Sequence, residues 1–179
     1  MKFHKMHLIL LILISSNAFA GMDAKFLDEM TMHHRQAVDM AKTADKKLSS
    51  SQVKKLNKKM MEDQKKEIAR MDKWKKQVGS DKTADMGEGH AGMNMPMDMN
   101  MNMNMNMNMS EMKDLKGKDF DTKYLEMMSA HHSQAISMVQ NYLSDLTNPE
   151  VKSFAEKTAK TQESEIEKMS KMKKDISSQ

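Results

Sequence analysis

The chain has 179 residues and a formal charge of +4, with 25 methionines, no cysteine, two prolines and 4% aromatic residues. That length suits one modest domain, and the absence of cysteine excludes a disulfide framework and any thiolate metal site. The basic excess is slight, and two of its lysines, Lys2 and Lys5, sit at the extreme N-terminus, so charge is no argument for nucleic-acid binding.

Lys2, His4 and Lys5 form a basic n-region, Leu8–Ile14 a short apolar run, and Ala18-Phe19-Ala20 an A-x-A cleavage site. The run is too short to span a bilayer as a stable helix. Residues 1–20 therefore read as a signal peptide cleaved near Ala20/Gly21. The mature protein is expected in a bacterial periplasm, with no membrane association after cleavage.

Residues 21–78 read as a first helix pair. The first helix is predicted from Asp23, as its N-cap, to about Lys47, with Phe26, Met30, Ala37, Ala41, Ala44 and Leu48 on one stripe. Ser49-Ser50-Ser51 breaks it and offers a new N-cap. The second helix follows the seam Val53, Leu56, Met60, Gln64, Glu67, Met71, Trp74, Val78 and stops at Gly79-Ser80.

Residues 79–118 change character. Gly87, Gly89, Gly92 and Pro96 break any helix, and from Met93 to Met109 every second residue is Met, mostly alternating with Asn. This is low-complexity sequence, predicted to be a disordered, extended linker. Residues 119–179 form a second helix pair. Its first helix is predicted from Asp121 to about Leu146. Asn148-Pro149 then starts a helix with the seam Val151, Phe154, Thr158, Gln162, Glu165, Met169, Met172, Ile176.

The two pairs are one unit repeated. Sliding residues 23–74 by 98 places them on 121–172 without a gap, with 18 of 52 positions identical. The identities include Met30 with Met128, His33 with His131, His34 with His132, Met40 with Met138, Gln64 with Gln162, Glu67 with Glu165 and Met71 with Met169. Each pair alone leaves an apolar face uncovered. Two pairs folded together bury it, so the expected fold is an all-α antiparallel four-helix bundle, ferritin-like, with pseudo-twofold symmetry.

The repeat keeps polar groups where packing alone favours Leu. Met30, His33, Ala37 and Met40 share one helix face. Adjacent residues lie about 100° apart on a helix, so His33 and His34 are not expected to aim at one centre; one should face the bundle and the other its edge. Gln64, Glu67, Gln162 and Glu165 occupy seam positions, where a carboxylate needs a partner, and the His pair of the same repeat is the nearest. Two readings stay open. In one, these groups form a polar layer that fixes helix register. In the other, His and Met bind a soft or borderline metal and the carboxylates orient the imidazoles.

The Met-Asn tract is more specific. Thioether is neutral and soft, and it suits Cu(I) or Ag(I) better than Zn, Mg or Ca. Met93, Met95, Met97, Met99, Met101, Met103, Met105, Met107 and Met109 supply nine sulfurs, and His90 adds an imidazole. Tolerated expansion of a short repeat is the competing account. The Lys-rich stretches of the second helix lie mostly off the seam and read as a solvated face. No Cys nucleophile, H-E-x-x-H motif, Gly-rich phosphate loop or di-iron E-x-x-H pair is present, so no enzyme is expected.

One resemblance goes further. It rests on Phe26-Leu27-x-x-Met30-x-x-His33-His34-x-x-Ala37-Val38-x-Met40-Ala41, followed by Gln64-x-x-Glu67-Ile68-x-x-Met71-x-x-Trp74. The second copy reads Tyr124-Leu125-x-x-Met128-x-x-His131-His132-x-x-Ala135-Ile136-x-Met138, then Gln162-x-x-Glu165-Ile166-x-x-Met169. Together they resemble the family catalogued as domain of unknown function 305, over about residues 23–174. The resemblance implies an exported ferritin-like bundle and a link to copper. It carries a ligand set over to Met30, His33, His34, Met40 and Met71, with Met128, His131, His132, Met138 and Met169 in the second copy. Met172 stands where the first copy has Trp74, and the Met-Asn tract is not a general feature of that family.

These readings together suggest a periplasmic protein that sequesters or carries Cu(I), with Cu(II) or Ag(I) as further cargoes, and that contributes to copper tolerance. A periplasmic copper exporter or carrier is the expected partner class. The alternative is a helical interaction or chaperone module with no metal role.

Overall fold

Four helices account for both repeats: α1 (Ser16–Asp45), α2 (Ser51–Gly79), α3 (Gly117–Tyr142) and α4 (Pro149–Ser177). The computed structural model describes residues 16–79 and 112–178, and among these there is no strand. The predicted linker tract and most of the predicted signal peptide lie outside the described residues. α1 packs along α2 and α3 along α4, and the two hairpins meet through α1 and α3 as a four-helix bundle. No helix among the described residues is long and apolar enough to cross a membrane.

The breaks act as their chemistry dictates. Ser50 Oγ accepts from the Val53 N–H at 3.4 Å and caps α2. Asn148 Oδ1 accepts from the N–H groups of Glu150 (2.9 Å) and Val151 (3.2 Å), with Pro149 at the first turn of α4. The predicted stripes face inward: Phe26, Met30, Ala37, Ala41 and Ala44 on α1, Leu48 just after it, and Val151, Phe154, Thr158, Gln162, Glu165 and Met169 on α4 are buried, while Met172 and Ile176 at the end of the α4 seam are only partly so.

Several boundaries differ from the sequence reading, among them the end of α3, which stops at Tyr142 rather than near Leu146. α1 is already helical at Ser16, so Asp23 is not its N-cap. α3 begins at Gly117 rather than Asp121, the chain turning into it through the left-handed φ of +58° at Gly117, which only glycine adopts freely. The bundle also claims part of the stretch assigned to the linker. Met112 is 1% exposed in the same core cluster as Phe120, and Lys47 Nζ donates to the Lys113 carbonyl at 2.8 Å. Composition alone assigned Met112 to the Met-rich tract, whereas an apolar residue next to a helix start is drawn into the core.

Asp23 and its repeat mate Asp121 do something else. Each is buried, at 2% and 1% exposure, and each clasps the interhelical turn of the opposite hairpin. Asp121 accepts from the Ser49 N–H (2.9 Å), the Ser49 hydroxyl (2.6 Å) and the Ser50 N–H (2.7 Å). Asp23 accepts from the Thr147 N–H (3.2 Å), the Thr147 hydroxyl (2.7 Å) and the Asn148 N–H (3.1 Å). Three donors on one buried carboxylate leave three unsatisfied groups if it is removed. Asp121→Ala is therefore expected to destabilise the fold by about 2–4 kcal/mol, read as a lower urea midpoint. An unchanged midpoint would show that the clasp is dispensable.

Asn57, also buried, has no counterpart in the repeat, where Ala155 stands. Its amide donates to the Ala41 carbonyl and to Asp45 Oδ1, both at 3.1 Å, and its carbonyl oxygen accepts from the Tyr124 hydroxyl. This link ties α3 to the first hairpin.

Candidate metal centre

The repeat places a His-His pair midway along α1 and another midway along α3, and the pseudo-twofold brings both pairs to the middle of the bundle. His33 and His131 meet across it, ring centroids 3.7 Å apart and planes inclined at 34°. His34 turns instead toward α2, its Nε2 2.7 Å from Glu67 Oε2, and His132 makes the same contact with Glu165 Oε2 on α4 at 2.9 Å. The expectation that one His of each pair lies at the bundle edge is therefore wrong: exposures are 2%, 0%, 6% and 0% for His33, His34, His131 and His132. The angular argument holds, but neighbours cover both directions, the opposite hairpin for one ring and the partner helix for the other.

The electrostatics keep the central rings neutral. Burial, with the neighbouring imidazoles adding to it, holds His33 well below its ordinary pKa and pushes His131 down to about 3. Neutral imidazole is the metal-binding form. Both ring nitrogens of His33 and His131, and Nδ1 of His34 and His132, are buried without a hydrogen-bond partner, as are the side-chain oxygens of Gln64 and Gln162. A buried polar atom left unpaired costs about 1–3 kcal/mol. Six such nitrogens left unpaired in the middle of the bundle favour a cation-binding role over a polar layer made only to set register. The Glu contacts sharpen this: a carboxylate accepting from Nε2 leaves the lone pair of His34 and His132 on the buried, unpartnered Nδ1.

Thioethers flank this layer on both sides. Met30, Met71 and Met138 belong to the core cluster with Phe26 and Trp74, and Met128, Met169 and Met40 to the cluster with Phe120 and Tyr124. The two trios are symmetry mates, and none of the six is more than 3% exposed. Thr31 Oγ1 lies 3.8 Å from Met71 Sδ, and Ser129 Oγ lies 3.7 Å from Met169 Sδ. Among the described residues no three His, Cys, Asp or Glu side chains form a ready metal site. Thioethers would complete any donor set here, which favours a soft ion.

All ten predicted ligands of the bundle are thus buried, and Glu67 and Glu165 touch the imidazoles as expected. Gln64 and Gln162 are buried without touching them through any hydrogen bond. His90 and the nine methionines from Met93 to Met109 lie outside the described residues. The Thr31/Ser129 hydroxyls were missed, although their matched positions in the duplication were a usable signal. Glu165→Gln keeps the shape of the His132 contact but removes its charge. It is expected to weaken metal binding by the bundle about 10- to 100-fold, measured by competition with a coloured chelator. Unaltered affinity would make the contact purely structural.

The sequence profile of the family described as "Domain of unknown function (DUF305)" matches residues 23–173, which is most of the chain. The chain belongs to the DUF305 family. A DUF305 protein of Streptomyces coelicolor shares the fold with a TM-score of 0.68 at 24% identity, over 87% of this chain and 94% of that one. CopM in its Cu(II)-bound form is similar at 27% identity and a TM-score of 0.63, over 86% of this chain and 96% of CopM. CopM in its Cu(I)-bound and Ag-bound forms matches at 25% identity and a TM-score of 0.62, with the same coverages. No curated protein matches the sequence. Membership in DUF305 accounts for the two hairpins as one domain, since the matched stretch runs through both repeats.

Proposed function

We propose that this DUF305 protein is an exported, periplasmic copper-binding protein that sequesters or carries Cu(I), with Cu(II) and Ag(I) as further cargoes. The observation that carries the reading is the buried, neutral, unpartnered His33–His131 pair, with the glutamate-bonded His34 and His132 beside it, between two thioether trios. The similarity to CopM, solved with Cu(I), Cu(II) and Ag, supports it. Imidazole and thioether bind Cu(I) without a proton to displace at neutral pH, and neither needs the reducing conditions that thiolates require. The bundle offers few, shielded sites. The Met-Asn tract offers nine further sulfurs as a high-capacity reserve. Binding and hand-over to an exporter or carrier, rather than turnover, is the activity this donor set serves.

An anaerobic Cu(I) titration of the mature protein against a coloured chelator tests the reading, beside a variant lacking residues 93–109. Several ions bound tightly, with a reduced but non-zero number in the deletion variant, is the expected result. No competition by either protein would end the copper reading.

A further inference from the structure

The outer face of α2 carries the Lys-rich stretches of the sequence. Lys55, Lys58 and Lys59 near the start of the helix, Lys65 and Lys66 midway, and Lys73 and Lys76 near its end fall within an arc of about 120°, along about 32 Å of the axis. Only Glu62 and Ala69 interrupt this stripe, and all nine side chains are exposed. The buried seam, with Gln64 and Met71, points the opposite way, so the stripe is turned from the metal centre. Asp63 pairs with Lys59 and, at 3.6 Å, with Lys66. The other five lysines have no ion-pair partner among the described residues.

The duplication supplies a control for this face. A shift of 98 carries it onto the outer face of α4, where Lys58 becomes Glu156, Lys65 becomes Glu163, and Lys55 and Lys66 become Ser153 and Ser164. Seven lysines against one glutamate give the α2 face a net charge of +6. Four lysines against three glutamates give the α4 face +1. Both faces have the same place in the fold, so a solvated helix face here does not require the excess of lysine. The excess also has a cost. Lys55 with Lys58 and Lys59, and Lys73 with Lys76, are like charges three or four residues apart, which destabilise a helix.

We propose that the α2 stripe attaches the protein peripherally to an anionic phospholipid surface. A straight row of charges on a rigid helix can meet a flat surface along its whole length. The composition of the row favours lipid over a partner polypeptide. Protein interfaces are anchored by aromatic residues and arginine and are poor in lysine, whereas this stripe is lysine with no aromatic residue, no arginine and Ala69 as its one apolar side chain. Lysine is a compact, hydrated point charge, suited to diffuse attraction by many headgroups. Attachment needs no span, and none of the described helices could make one. The proposal goes beyond the copper reading and does not depend on it.

The test is co-sedimentation of the metal-free mature protein with vesicles of phosphatidylcholine containing about one-third phosphatidylglycerol, beside vesicles of phosphatidylcholine alone. Binding to the anionic vesicles only, at about 50 mM salt, with release at about 0.5 M salt, is expected. Two variants each remove four exposed lysines. One carries Lys55→Gln, Lys58→Gln, Lys65→Gln and Lys73→Gln on α2. The other carries Lys157→Gln, Lys160→Gln, Lys171→Gln and Lys174→Gln on α4, so both lose the same net charge. Gln is close to Lys in helix propensity, so both should fold. Each lysine at the lipid surface is worth about five-fold, so the α2 variant should bind at least about 100-fold more weakly and the α4 variant within about ten-fold of wild type. Equal loss in the two variants, binding that survives high salt, or no preference for anionic vesicles would overturn the proposal. A tighter complex with poly-glutamate than with vesicles would also overturn it, assigning the stripe to an acidic polypeptide.

Discussion

Replacing His33 and His131 together with Gln should lower the Cu(I) affinity of the bundle by more than the roughly 100-fold that loss of an orienting partner can cost. The reason is geometric. These two rings face each other at 3.7 Å and carry four of the six unpartnered ring nitrogens, whereas His34 and His132 each commit one nitrogen to a glutamate. Gln fills similar space and keeps polarity, so the helices should persist by circular dichroism. The measurement belongs in a protein lacking residues 93–109, where the nine tract sulfurs cannot mask the loss. Wild-type affinity in that variant would place the ligands elsewhere and leave the stacked rings a structural role.

The same pair should make the metal-free fold acid-sensitive. An unfolded histidine titrates near pH 6.5, while folded His131 titrates near 3 and folded His33 well below its ordinary range, both chiefly through burial. Between these limits the unfolded chain binds protons that the folded chain refuses, so stability falls as pH falls. The contribution is intact above about pH 6.5 and shrinks by about 1.4 kcal/mol per pH unit per histidine below it. At pH 4.5 His131 alone should cost about 3 kcal/mol, with His33 adding to it. Urea unfolding of the metal-free protein from pH 7.5 to 4.5 measures the slope. The His33→Gln, His131→Gln variant should lose most of it. An identical slope in the variant would assign the acid response to other groups.

Much of this architecture was legible because it is written in short-range order. Helix existence, the Ser49–Ser51 break and the Asn148-Pro149 start depend on neighbours within a turn or two, and the seams of α2 and α4 follow a spacing that any helix imposes. The duplication made the His pairs and the seam glutamates stand out, since each recurs after 98 residues. Asp23 misled for the same reason that local rules usually work. An aspartate before an apolar stripe resembles an N-cap, but its partners, Thr147 and Asn148, lie more than 120 residues away.

The sequence by itself determined the four helices, the two-fold repeat and the concentration of His and Met on matching faces. All of these are periodic properties of contiguous residues. Only the tertiary structure decided which donors share a neighbourhood. It set Met138 with Met30 and Met71, and Met40 with Met128 and Met169, crossing the repeats rather than keeping each to itself. It put both histidines of each pair inside, gave one to the glutamate of its own hairpin and stacked the other on its symmetry mate. Helical periodicity gives a side chain's direction about its own axis, but what stands in that direction is set by how the hairpins dock.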